Sequence, residues 1–96
     1  MKINVTYDND LLDCDLICIP DRLGGQIEIL AQDYLDWLPP DDLDYDWMII
    51  NGKKVLSKNT TGFVRWLNQF YCDSDERAYI IQQNTHRDPA IMGIDF

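Results

Sequence analysis

Cationic side chains are scarce in this sequence, which has eight Lys and Arg against 17 Asp and Glu. Such an excess of acid argues against direct contact with nucleic acid or an anionic lipid surface, because both repel it. Histidine is scarcer still. His86 stands alone in the polar stretch Asn84-Thr85-His86-Arg87-Asp88-Pro89, where a surface role is expected, with no second histidine to share a metal. The three cysteines give no zinc-ribbon spacing, since Cys14 and Cys18 are four apart and Cys72 has no cysteine near it. Cys18 is expected to pack as a small core residue. Gly24-Gly25 lacks the further glycines and the lysine of a phosphate-cradling loop, and no basic aromatic strip suits a single strand.

Long apolar runs are missing as well. No stretch approaches the ~18 residues of a membrane-spanning helix, and Met1-Lys2-Ile3-Asn4-Val5 turns polar at once, unlike a secretory leader. A cytoplasmic, non-enzymatic chain is expected, with no cofactor and no dedicated metal.

What is present is enough apolar material for one core. With 96 residues, 46% of them hydrophobic, the chain is expected to form a single compact domain over 1–96. The formal charge is -9, but it is not spread evenly. Residues 8–46 hold twelve acids and one base, Arg22, for a net charge of -11, whereas residues 47–96 come to +1. Charge placed only for solubility would be dispersed, because crowding it costs self-repulsion. Fifteen of the acids are Asp, which favours turns and element ends, so most are expected to face solvent.

Apolar periodicity sets the elements. Ile3, Val5 and Tyr7 alternate as in a half-buried strand, and Leu16-Ile17-Cys18-Ile19 reads as a second one closed by Pro20. Between Leu23 and Leu38, apolar residues recur at three- and four-residue steps while Gln26, Glu28, Gln32, Asp33 and Asp36 fill the opposite arc. Gly24-Gly25 moves the ordered start of that helix toward Gln26, and Pro39-Pro40 stops it. Trp47-Met48-Ile49-Ile50 and Lys53-Lys54-Val55-Leu56 flank Asn51-Gly52, the strongest short hairpin signal. Thr60 or Thr61 is expected to cap a second helix carrying Phe63, Trp66, Leu67, Phe70 and Tyr71 on one face. A strand over 78–83 and a short last one within 91–96 complete the chain. The expected class is α+β, order β-β-α-β-β-α-β, with a mainly antiparallel sheet of four to five strands and two helices on one face.

One motif imitates a calcium loop. Asp42-x-Asp44-x-Asp46 has the spacing of an EF-hand opening, but its sixth position is Trp47 instead of glycine and its twelfth is Lys53 instead of glutamate. The match fails on both counts. Alternate residues of an extended stretch lie about 6.7 Å apart on one side, so Asp8/Asp10, Asp13/Asp15 and Asp42/Asp44/Asp46 are expected to form rows of carboxylates. Asp33 and Asp36 are helical i, i+3 neighbours. Such rows present what a cationic nucleic-acid groove receives. Tyr34, Trp37 and Trp47 are read as core, leaving Leu43 and Tyr45 as the apolar anchors within the acidic tract.

A short, acidic chain of this kind, with -11 on residues 8–46 and the tract Asp41-Asp42-Leu43-Asp44-Tyr45-Asp46, resembles the anti-CRISPR proteins of phage and mobile elements, and DNA-mimic proteins generally. The resemblance implies a monomeric or dimeric inhibitor that occupies the cationic channel of a CRISPR effector nuclease. The expected contact set is Asp8, Asp10, Asp13, Asp15, Asp33, Asp36, Asp41, Asp42, Leu43, Asp44, Tyr45 and Asp46. Two other readings share the acidity: an immunity or antitoxin-like protein that blocks a toxin enzyme, and an acidic accessory interaction domain.

Overall fold

The computed structural model describes residues 1–6, 14–38, 47–56 and 58–96. It is an α+β fold built on a four-stranded sheet. Strands β1 (Lys2–Thr6), β2 (Cys14–Cys18), β5 (Tyr79–Thr85) and β6 (Gly93–Asp95) stand in the order β5-β2-β1-β6. β1 runs antiparallel to β2 and β2 to β5, but β6 joins β1 in parallel. The sheet is therefore mixed, with antiparallel pairing predominating.

The hairpin of β3 (Trp47–Ile50) and β4 (Lys53–Leu56) forms a separate two-stranded sheet instead of extending the main one. β5 and β6 already occupy the outer sides of β2 and β1. The turn itself is as expected, with Asn51 at φ 51° and Gly52 at φ 77°, the left-handed pair a two-residue hairpin of this hand requires.

Residues Asp21–Gln26 form a 3₁₀ segment that leads into α1 (Ile27–Asp36). The two glycines fall in the 3₁₀ segment, so the α-helix proper starts just after Gln26. It stops two residues earlier than its apolar pattern. Trp37 is already extended at φ -74°, ψ 134°, and Leu38, which precedes a proline and is thereby pushed out of helical geometry, is 78% exposed instead of buried. Lys58 closes this end by donating its Nζ to the carbonyls of Tyr34 and Trp37, where a cation meets the negative pole of the helix.

α2 (Thr60–Phe70) is capped by Asn59 and not by either threonine. The Asn59 side chain accepts from Gly62 N at 2.8 Å, while Thr60 is almost wholly buried inside the first turn. Asn59→Ala is expected to lower stability by about 1 kcal/mol, and Asn59→Asp to retain most of it, in urea unfolding followed by circular dichroism.

One cluster joins sheet and helices. Ile3, Val5, Ile17 and Ile94 from the sheet meet Leu23, Ile27, Leu30 and Tyr34 from the first helical segment and Phe63, Trp66 and Leu67 from α2, which places both helices on the same sheet face. Trp37 is half-buried against this cluster. After β5, Asp88 accepts at its backbone O from the Asn4 side-chain amide, and Met92 O accepts from the Asn4 backbone N–H where the chain enters β6. Asn68 secures the entry to β5 by bonding both N–H and C=O of Ala78.

Candidate interaction surface

Helix geometry decides which acids reach solvent. Burying Ile27, Leu30, Ala31 and Tyr34 turns the other side of α1 outward, and Glu28, Asp33 and Asp36 are all exposed on it. Gln32 donates to both Asp36 carboxylate oxygens at 3.3 Å. Among the described residues no cation lies in ion-pair contact with these three acids.

Arg22 could have neutralised them, being the one base between residues 8 and 46. It faces elsewhere. Its guanidinium grips Glu76 through Nε at 3.0 Å and Nη2 at 2.7 Å, lies 3.8 Å from Asp73 and donates to the Tyr71 carbonyl. This hydrogen bonding holds the Glu76 carboxyl below its ordinary range and raises Arg22. A lowered carboxylate adds stability above its ordinary pKa and loses it as pH falls through the lowered one. The melting temperature of the protein should therefore exceed that of Glu76→Gln by a small margin at about pH 7, and the margin should narrow toward about pH 3.

Of the sequence-derived contact set, Asp33 and Asp36 lie together on α1, and Asp15 does not join them. Asp15 is 8% exposed within β2, where its Oδ1 accepts from Asn84 N at 3.2 Å. Asn84 has φ 54°, and the β2–β5 register shifts between Cys14 and Leu16, so Asp15 serves a bulged ladder and is enclosed by it. This corrects its expected place in an exposed row. Asp8, Asp10, Asp13, Asp41, Asp42, Leu43, Asp44, Tyr45 and Asp46 lie outside the described residues, as does Tyr7. Tyr34 is buried, as expected of a core aromatic.

The periodicity had placed Glu28 on the outer arc without counting it as a contact residue, yet it belongs to the same face. It also stands at a cavity of about 290 Å³ between α1 and β6, whose lining includes Ala31, Gln32, Leu35, Ile94 and Asp95. Asp95 accepts from the Thr6 hydroxyl at 3.1 Å. Apolar side chains form much of the lining, beside one outward-facing acid.

The three cysteines differ in their surroundings. Cys14, not Cys18, is the fully buried cysteine, its thiol donating to Thr85 O at 3.1 Å. Burial pushes both the Cys14 and Cys72 thiols up, away from a reactive thiolate. Cys18 is half-buried beside Tyr79 on the sheet. His86 is exposed. Asp73, Asp75 and Glu76 gather oxygens within 4.8 Å of one another, but the Arg22 guanidinium already engages two of them.

No described helix is long and apolar enough to cross a membrane. Comparison with known protein families, curated proteins and solved structures finds no match to the chain.

Proposed function

We propose that this chain is a non-enzymatic, cytoplasmic inhibitor that binds a basic nucleic-acid-handling protein by offering it a DNA-like anionic surface. A CRISPR effector nuclease is the partner that the anti-CRISPR resemblance favours. The observation that carries the reading is the placement of Arg22. The single base of the acidic segment is committed to Glu76 and Asp73, leaving Glu28, Asp33 and Asp36 as an unneutralised helix face in a segment of charge -11. A surface of this kind raises the local concentration of a cationic groove and gains from counterion release, as DNA does.

No cofactor or metal enters the mechanism. Binding alone blocks the groove, and the acids of α1 act together with Asp8 to Asp13 and Asp41 to Asp46. The test is competition for a CRISPR effector nuclease: labelled target duplex should be displaced by this protein, and less effectively by the Asp33→Asn/Asp36→Asn variant. Simultaneous binding of duplex and protein, with no displacement, would overturn the proposal.

A further inference from the structure

The tip of the β3–β4 hairpin carries chemistry opposite to that of the acidic segment. Ile49 is 79% exposed and Ile50 49%. Successive strand residues point to opposite faces, so each face of the tip presents a largely uncovered isoleucine. An isolated two-stranded sheet is marginal in water unless something packs on it. Residues 47–56 also contain Lys53 and Lys54 and no acid, a local +2 within a chain of -9.

Ile50 pairs across the ladder with Lys53, which is exposed. Cross-strand partners project on one face, with Cβ atoms about 5 Å apart. The tip thus offers one branched apolar side chain and one ammonium side by side. The α1–β6 cavity offers their counterparts, an apolar lining from Ala31, Leu35 and Ile94 beside exposed Glu28. Its 290 Å³ equals about ten water volumes, which is ample for an isoleucine.

We propose that the β3–β4 tip docks into the α1–β6 cavity of a second copy of this chain, with Ile50 against the apolar lining and Lys53 paired to Glu28. Tip and cavity are different surfaces, so the contact either closes as a reciprocal two-fold pair, which buries it twice, or continues head-to-tail from copy to copy. Charge selects this occupant. Two chains of -9 repel on the whole, and a contact between the cationic hairpin of one and the acidic helix face of the other offsets that repulsion. The proposal is independent of the inhibitor reading, because no nuclease enters it.

Sedimentation velocity on the full chain at low salt provides the test. The protein should associate with rising concentration, and Lys53→Glu and Glu28→Lys should each weaken that association at least about tenfold. Both positions are exposed, and circular dichroism should confirm unchanged folding. The double variant Lys53→Glu/Glu28→Lys should regain association, and an equimolar mixture of the two single variants should associate where neither does alone. A wild-type chain that stays monomeric throughout overturns the proposal. So does association that both single variants retain, including association through the β5 edge, which Ile81→Lys would abolish.

Discussion

Phe63→Ala is expected to cost about 3–5 kcal/mol of unfolding free energy, the largest stability loss foreseen for a single substitution here. Phe63 is fully buried. Its ring lies 5.5 Å from Tyr34, 6.1 Å from Trp66 and 5.4 Å, edge-on, from Phe96. It therefore joins α1, α2 and the end of the chain across the sheet. Truncation removes transfer free energy and leaves a void that three rigid rings collapse into poorly. A domain of this size has about 5–15 kcal/mol in total, so the variant should be partly unfolded at mild urea concentrations. Phe63→Leu, which keeps most of the volume, should lose far less. A Phe63→Ala loss under about 1 kcal/mol in urea unfolding would contradict this picture of the core.

Replacing Asp41, Asp42, Asp44 and Asp46 together by asparagine is expected to abolish partner binding while leaving the fold intact. Neutralisation takes residues 8–46 from -11 to -7. If each carboxylate contributes up to about 1 kcal/mol at a partly exposed contact, four of them amount to as much as about 1,000-fold in affinity. Asparagine keeps the size of each side chain and removes only its charge, so circular dichroism and the melting temperature should be nearly unchanged. Retained affinity in a folded quadruple variant would remove the acidic tract from the contact surface.

Legibility in the sequence followed the range of the interactions. Asn51-Gly52 and the outward arc of α1 are local signals, and the structure has both where they were expected. The helix cap was ambiguous because Asn59, Thr60 and Thr61 all have cap-competent side chains, and only the extended backbone of Asn59 (φ -146°, ψ 174°) places an oxygen over the first turn. Long-range features carried no local signal. The parallel β1–β6 pairing joins residues near opposite ends of the chain through a three-residue strand. Arg22 and Glu76 meet across 54 positions. Asp15 could not be told from the other aspartates of its stretch of sequence, because its burial follows from a bulge in the β2–β5 pairing and from the Asn84 N–H it satisfies. The acids of α1 were readable since helical period alone turns them outward.

The central claim is that carboxylates left without cations on this chain are made to meet cations on another. Its most direct test is the affinity for a CRISPR effector nuclease measured across a range of salt concentrations. The account predicts that log Kd rises linearly and steeply with log salt, and that the slope becomes shallower when Asp33 and Asp36 are changed to asparagine. Affinity that does not vary with salt, or a slope that the two substitutions leave unchanged, would contradict it.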